Sequence, residues 1–239
     1  MSNKKLFPYS GSKHKYQKQI QDVVSKLNVT NVDTYIEPFA GSLGSFFHIM
    51  EKINAKNIII NDINPKITNI YQQIKNDSAQ VIKAYTALEN HFQELLPKSI
   101  KTGLVKKDKR SLMEDARDFY LWVREYINVA SFTANHAAAM IFVLNHNFNG
   151  LYQESKKKNF NSSFNWNARR INIKAIVDII NEMHVFFIEK NVKITTMDVF
   201  ELLTKYRTTD TFIYLDPPYC SRHSHPDTQP FFNRTLSRN

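Results

Sequence analysis

Short apolar runs rich in β-branched residues alternate with stretches of helical periodicity in the first part of the chain. Residues 33–39 and 57–60 have the first pattern and predict buried strands. A turn of small residues, 40–45, leads from the first strand into an apolar stretch that predicts a helix. Asn64 and Pro65 then supply a capping side chain and a proline at the first helical position, which predicts a second helix. This order of elements is typical of a doubly wound α/β fold.

The pattern changes near residue 77. From there to residue 190 the chain has mostly helical periodicity, and strand character returns at residues 192–195 and 211–215. We therefore predict an α/β core made of residues 1–76 and 191–239. A mostly helical insertion, residues 77–190, interrupts it.

The last apolar run, residues 211–215, is ended abruptly by Asp216, Pro217, Pro218 and Tyr219. The two prolines stop the strand and stiffen the backbone after it. Asp216 and Tyr219 are thus expected at the carboxyl edge of the sheet, where open α/β folds bind ligands. A carboxylate, a backbone carbonyl and a flat ring together suit a planar substrate with an exocyclic amino group. The alternative is an ordinary turn that happens to contain these residues.

The turn after the first predicted strand contains Gly41 and Gly44, which let the backbone approach a ligand closely. It does not match the Gly-x-Gly-x-x-Gly dinucleotide fingerprint, and Glu37 at the strand end would repel a pyrophosphate. Asp62, after the second strand, is placed to accept both hydroxyls of a ribose. An adenosine with a cationic or zwitterionic end, such as S-adenosylmethionine, fits better than a dinucleotide. Gly and Asp also end many ordinary strands.

The charge of the chain indicates a polyanionic partner. Its 239 residues include 32 Lys and Arg against 22 Asp and Glu, a net charge of +10. Such a field attracts nucleic acid, although a basic protein can also be merely soluble. Cys220 is the only cysteine, which excludes an intrachain disulfide and a thiolate zinc cluster. No apolar stretch approaches the roughly 20 residues of a membrane span, so we expect a soluble, cytoplasmic protein.

Five short motifs occur in order along nearly the whole chain. They are Phe-Pro-Tyr-Ser-Gly-Ser-Lys at 7–13, Glu-Pro-Phe-Ala-Gly-Ser at 37–42, Asn-Asp at 61–62, Asn-Phe-Asn-Gly-Leu-Tyr at 147–152 and Asp-Pro-Pro-Tyr at 216–219. In this order they resemble the Dam-like (alpha-group) DNA adenine-N6 methyltransferases. The resemblance implies a Rossmann-like, S-adenosylmethionine-dependent methyltransferase sheet. It also implies that the insertion is a DNA target-recognition domain.

The same resemblance implies which residues hold the cofactor. They are Tyr9 and Lys13 for its methionine part, Phe39 and Gly41 for the lining of the pocket, Asp62 for the ribose, and Asp198 with Phe200 for the adenine. The expected reaction is methyl transfer to adenine N6 at a specific DNA site.

The Asp-Pro-Pro-Tyr motif would make the adenine amino group reactive. Its nitrogen is a poor nucleophile because the lone pair is delocalised into the ring. Asp216 and the carbonyl of Pro217 would each accept a hydrogen bond from it and stabilise the positive charge that develops. The adenine must leave the duplex to react, and Tyr219 would stack on the extruded ring.

The insertion is expected to contact double-stranded DNA. Its candidate residues are Asn149 and Tyr152 of the fourth motif, Lys156, Lys157 and Lys158, and Arg169 and Arg170. Lysines mainly position the phosphate backbone, whereas polar side chains in the grooves read the sequence. The family usually has arginine where this chain has Gln153, and residues 158–163 lack the family's glycine and proline. A GATC target is therefore not supported.

The carboxyl-terminal residues, 220–239, show no strand alternation, whereas the family sheet continues with further strands. The sequence thus predicts a truncated core, an open sheet edge and a weak enzyme. The alternatives are a catalytically dead DNA-binding remnant, or an amino methyltransferase acting on cytosine N4 or RNA. A cognate restriction endonuclease is a candidate partner. No histidine spacing indicates a metal site.

Overall fold

A four-stranded parallel sheet forms the centre of the computed structural model, which describes residues 5–27, 29–97 and 110–217. Its strands are β1 (Asn31–Glu37), β2 (Asn54–Asn61), β3 (Lys193–Thr195) and β4 (Thr211–Ile213). Their order across the sheet is β3-β2-β1-β4, and each neighbouring pair is parallel. The predicted α/β class with a parallel sheet is confirmed.

Helices and two short 3-10 turns make up the rest of the described fold. The helices are α1 (Gln17–Lys26), α2 (Phe46–Met50), α3 (Pro65–Leu95), α4 (Glu114–Val129), α5 (Ala134–His146), α6 (Ile173–Glu189) and α7 (Val199–Tyr206). The 3-10 turns are Lys13–Tyr16 and Phe148–Gly150. Among the described helices, none is both long enough and apolar enough to cross a membrane.

Both faces of the sheet are covered, but unequally. Tyr35, Ile58 and Ile60 belong to the large core that includes α2, α3, α5 and α6, and the Tyr35 ring lies 5.8 Å from that of Phe46. On the opposite face, residues such as Ile36 pack against α7 in a much smaller cluster. A strand buried on both faces needs apolar side chains at successive positions, which explains the continuous apolar runs in the sequence.

The long helix α3 begins as the sequence predicts. The side chain of Asn64 accepts a hydrogen bond from the backbone N–H of Lys66, and Pro65 is the first helical residue. Asp77 interrupts the helix with non-helical dihedral angles, and its side chain accepts from the N–H of Gln80 at 3.2 Å. The sequence analysis placed the boundary between core and insertion at residues 76 and 77, and the kink lies at this point. The division of the chain into domains stays a prediction.

Helix α5 is buried on all sides, and polar side chains fix its two ends. Near its start, Asn69 donates to Nδ1 of His136 at 3.1 Å, and Nε2 of that ring donates to the carbonyl of Ile127 at 3.2 Å. At its end, Nε2 of His146 lies 2.9 Å from a carboxylate oxygen of Glu89 in α3. Burial lowers the pKa of His136 from 6.5 to about 4, so this ring is neutral in the folded protein at neutral pH.

We expect His136 to make stability depend on pH. Between pH 6.5 and about 4 the unfolded chain binds a proton that the folded protein excludes, so stability falls as the pH drops through this window and this contribution levels off below it. The loss should reach about 3 kcal/mol, since one pKa unit corresponds to about 1.4 kcal/mol. Urea denaturation of the wild type and of His136→Gln across this range checks it. Equal pH slopes in the two proteins would contradict the assignment.

Candidate functional site

The candidate site lies at the carboxyl edge of the sheet, between β1 and β4. From the central strand β1 the chain moves to β2 and β3 on one side and later to β4 on the other. The strand order therefore reverses at β1, and open α/β sheets bind ligands in the crevice outside the carboxyl ends of the strands at such a point. The loop after β1 carries Phe39 and Gly41, and the segment after β4 carries Asp216.

Gly41 is the centre of a tightly held turn. Its N–H donates to Oδ2 of Asp62 at 2.9 Å, and its carbonyl accepts from the hydroxyl of Tyr71 in α3 at 2.5 Å. Its φ of +47° favours glycine, and a Cβ placed there would lie 3.3 Å from the Tyr9 ring. The structure thus brings Tyr9, Gly41 and Asp62 together, as expected for one side of a ligand pocket.

The carboxylate of Asp62 is fixed by backbone donors from two elements. Besides Gly41, the N–H of Asn64 donates to its Oδ1 at 3.0 Å. Burial raises the pKa of Asp62, while these two hydrogen bonds oppose the rise by favouring the charged form. The side chain remains partly accessible, so it can still accept hydrogen bonds from a ligand.

Asp216 lies against Lys13. The ammonium of Lys13 is 2.5 Å from Oδ1 of Asp216, and the same group donates to the carbonyl of Gly11 at 3.0 Å. The segment before Asp216 is anchored because the N–H of Tyr214 donates to Ile36 and its hydroxyl lies 3.0 Å from Ser45 Oγ. Lys13, expected from the resemblance to contact the cofactor, is therefore paired here with the predicted catalytic carboxylate.

Glu37 is a part of the site whose state the sequence did not reveal. It is the last residue of β1 and is 2% exposed, and the hydroxyl of Tyr35 donates to its Oε2 at 2.6 Å. Burial, and to a lesser degree the charge of Asp216, raises the pKa of Glu37 from 4.5 to about 8. The sequence shows that a carboxyl group ends a buried strand, which indicates an unusual environment for Glu37. Its protonation state, however, depends on the groups that surround it in the folded protein.

The residues expected at the cofactor adenine lie beyond β3. Asp198 caps α7, accepting from the N–H of Phe200 at 2.9 Å, and the Phe200 ring is 70% exposed. Asn61, which the sequence analysis named as part of the Asn-Asp motif but gave no role, holds this loop in place. Its side chain donates to the carbonyl of Met197 at 3.0 Å and accepts from the N–H of the same residue at 2.9 Å.

The predicted DNA-contacting residues lie mainly on an irregular hairpin segment, residues 147–164. Two antiparallel bridges close it, between Asn147 and Phe164 and between Glu154 and Phe160. Its base is fixed to α4, where the side chain of Asn128 makes two hydrogen bonds with the backbone of Phe160, at 2.8 and 3.0 Å. The predicted insertion is mostly helical, but its candidate DNA-contacting residues are not on its helices.

The tip of the hairpin segment is basic and exposed. Lys156, Lys157 and Lys158 form its turn, and the carbonyl of Lys158 accepts from Lys66 at 2.8 Å. Asn149, at φ +57°, is also exposed in the loop that starts the segment. These positions leave polar and positive groups available to a nucleic acid.

Arg169 and Arg170 come after the hairpin segment and are both exposed. Arg170 donates to the carbonyl of Leu96 at 3.3 Å, so part of its guanidinium is used in an intramolecular hydrogen bond.

Of the remaining residues of the Asp-Pro-Pro-Tyr motif, Pro217 is exposed, while Pro218 and Tyr219 lie outside the described residues. Among the residues described, no cluster of three or more His, Cys, Asp or Glu could hold a metal ion.

The amino-terminal segment joins the hairpin segment to the site. The N–H of Ser10 donates to the carbonyl of Gly150 at 3.1 Å, and the rings of Tyr9 and Tyr152 lie 6.1 Å apart. The hydroxyl of Tyr152 in turn donates to Glu154, which pairs with Lys66 at the start of α3. The predicted cofactor residue Tyr9 and the predicted DNA residue Tyr152 are thus neighbours.

Comparison with known proteins identifies the family of the chain. Residues 9–229 match the sequence profile of the D12 class N6 adenine-specific DNA methyltransferases. The Type II methyltransferase M.MjaIII of Methanocaldococcus jannaschii is 32% identical over 223 residues, which are 92% of this chain and 70% of that protein.

Two further relatives have the same designation. Type II methyltransferase M1.LlaDCHI of Lactococcus lactis subsp. cremoris is 28% identical, with 85% of this chain and 62% of that protein aligned. Type II methyltransferase M.CviBI of Paramecium bursaria Chlorella virus NC1A is 26% identical, with 91% and 70% aligned. The chain therefore spans between 62% and 70% of the length of these three relatives.

Two glycines test how tightly the amino-terminal segment is joined to the hairpin segment. A Cβ at Gly150 would lie 2.8 Å from Cβ and 3.0 Å from the carbonyl carbon of Pro8, whereas one at Gly11 would meet nothing within 4 Å. Both have positive φ, so Gly11→Ala is a matched control for backbone strain. We expect Gly150→Ala to cost about 1–3 kcal/mol more than Gly11→Ala in urea denaturation. Equal costs would contradict the close contact.

Proposed function

This chain belongs to the D12 class N6 adenine-specific DNA methyltransferase family, and we propose that it transfers a methyl group from S-adenosylmethionine to adenine N6 at a specific DNA site. The observation that carries the proposal is the position of Asp216, which follows β4 and lies close enough to Glu37 at the end of β1 to affect its charge, while the turn of Gly41 and Asp62 follows β1 at the same edge. This arrangement supports a role for Asp216 as the acceptor for the amino group, close to the proposed nucleoside pocket.

The residues of the crevice suit S-adenosylmethionine. Carboxyl groups at Asp62 and Asp216 favour a cationic or zwitterionic ligand over a pyrophosphate. The glycine at 41 leaves space that a side chain would fill, next to the Tyr9 ring. Asp62 would hold the ribose, and Asp198 with Phe200 the adenine, while Phe39 would line the pocket. When bound, the cofactor supplies a methyl group on a positively charged sulfur.

Asp216 and Pro217 would prepare the adenine for attack. The Asp216 carboxylate and the Pro217 carbonyl each accept a hydrogen bond from N6, so the nitrogen becomes more pyramidal and its lone pair more available. The methyl group that the cofactor would supply would pass to N6 with the sulfur leaving as a neutral sulfide, and the proton lost by the methylated nitrogen would go to the Asp216 carboxylate and from there to solvent. Lys13 keeps Asp216 in place through the ion pair. The contribution is therefore positioning and electrostatic stabilisation.

The hairpin segment would contact DNA while the target base is extruded. Inside a duplex, pairing and stacking keep the amino group of the adenine out of reach of the methyl donor. The adenine must therefore be flipped out. Lys156, Lys157 and Lys158 would contact phosphates, while Asn149 and Tyr152, the second of which neighbours Tyr9, would contact the DNA elsewhere. The designation of the relatives as Type II methyltransferases supports a cognate restriction endonuclease as a partner.

We expect Asp216→Ala to lower the rate of methyl transfer by about 100-fold or more, because the amino-group acceptor is lost. DNA affinity should change little. Single-turnover transfer of labelled methyl groups and fluorescence anisotropy measure the two quantities, with Asp178→Ala, a surface carboxylate paired with Lys174, as the control. Analysis of the methylated nucleoside distinguishes adenine N6 from cytosine N4. Near-normal transfer by Asp216→Ala would exclude the catalytic assignment.

The basic tip of the hairpin segment should make DNA binding depend on salt. We expect the double variant Lys156→Ala, Lys157→Ala to reduce the slope of log affinity against log salt by about 2, because each phosphate contact contributes about one unit. The control removes two exposed lysines at the opposite edge of the sheet, Lys52 and Lys190. Equal slopes for the two double variants would show that the tip does not contact phosphates.

A further inference from the structure

Glu37 is a buried carboxyl group that the proposed reaction leaves without a role. It ends the central strand β1, immediately before the loop of Phe39 and Gly41, and is 2% exposed. Its partner Tyr35 lies on the same face of the strand and donates to it at 2.6 Å. A carboxyl group in this position has a large effect on the crevice, because burial strengthens its electrostatic interactions.

Groups from several elements face Glu37 or act on its charge. They are Tyr35 on β1, Tyr71 on α3, Tyr214 and Asp216 after β4, and Lys13 through its ion pair with Asp216. Asp216 disfavours a second negative charge beside it, and Lys13 is directed at Asp216. The Tyr35 hydrogen bond opposes this effect but does not overcome burial.

Glu37 is therefore mainly a neutral acid in the cofactor-free protein at neutral pH. Its pKa of about 8 lies above neutral pH, so the protonated form predominates at pH 7. A permanent positive charge that enters the crevice would favour the carboxylate form instead. The methyl group must be delivered beside Asp216, so the charged sulfur of the proposed cofactor arrives within electrostatic reach of Glu37.

We propose that Glu37 is the counter-charge for the sulfonium of the cofactor: it is protonated in the empty crevice and ionises when the sulfonium binds, so that cofactor binding releases a proton. This inference rests on the proposed use of S-adenosylmethionine. It makes Glu37 a positioning residue for the cofactor rather than a group that touches the adenine.

The ionisation of Glu37 would also make the protein distinguish the cofactor from its product. Methyl transfer converts the sulfonium of S-adenosylmethionine into the neutral sulfide of S-adenosylhomocysteine, while the ribose, adenine and amino-acid groups are unchanged. Glu37 then loses its counter-charge and takes a proton back. Affinity for the cofactor should consequently rise with pH up to about 8 and level off above it, whereas affinity for the product should show this trend only weakly.

Isothermal titration calorimetry tests the proposal without any turnover. The number of protons released is obtained by titrating each ligand into the wild-type protein at pH 7 in two buffers of different ionisation enthalpy. We expect S-adenosylmethionine to release close to one proton more than S-adenosylhomocysteine. Equal numbers for the two ligands would overturn the inference while leaving the proposed function intact. Failure to bind S-adenosylmethionine at all would overturn the proposed cofactor and the inference together.

Two variants test whether the proton released on cofactor binding comes from Glu37. Glu37→Gln keeps an acceptor for the Tyr35 hydroxyl but cannot ionise, so the difference between the ligands should disappear and cofactor affinity should lose its pH dependence below 8. A difference that persists in Glu37→Gln would overturn the assignment. Tyr35→Phe removes a hydrogen bond that favours the carboxylate, so it should move the plateau in cofactor affinity to higher pH. An unchanged pH profile in Tyr35→Phe would also contradict the proposal.

Discussion

The parallel pairing of β1 with both β2 and β4 is the constraint on which the rest of the structure depends. Parallel strands all end at one edge of the sheet, so this pairing puts Glu37, Asp62 and Asp216 on that edge although they are far apart in the chain. The carboxyl halves of β1 and β2 are buried on both faces, so a shift in their register would expose apolar residues. The strand order reverses at β1, since β2 and β3 lie on one side of it and β4 on the other, and the crevice lies at this point.

Around this edge, the loops are held by side chains that reach back to the backbone. The side chain of Asn61 holds the loop after β3, and those of Asp62 and Tyr71 hold the Gly41 turn. A backbone hydrogen bond from the N–H of Ser10 to the carbonyl of Gly150 adds to them. Each interaction satisfies a polar group that would otherwise be costly to bury. The amino-terminal segment therefore connects the turn of Gly41 to the hairpin segment through Tyr9 and its neighbours. As a result, the residues proposed to bind the cofactor and those proposed to bind DNA pack against the same segment.

The electrostatics of the crevice depend on burial more than on net charge. The chain as a whole carries +10, yet the crevice holds several carboxyl groups. These can stay close together because Asp216 has Lys13 as its counter-ion and because Glu37 is protonated. The positive charge is instead displayed at exposed positions such as the hairpin tip, where water solvates it and a polyanion can reach it.

The sequence by itself determined the elements and the residues that end them. Periodicity and capping predicted the strands and the start of α3, and five ordered motifs indicated the family before any contact was known. Only the tertiary structure decided which distant groups meet. Lys13 and Asp216 are 203 positions apart, the proton on Glu37 depends on neighbours from other elements, and the contact of Pro8 with Gly150 depends on how a loop packs. Periodicity reports which face of an element is buried, because burial repeats along the chain, whereas a single long-range contact leaves no repeating trace.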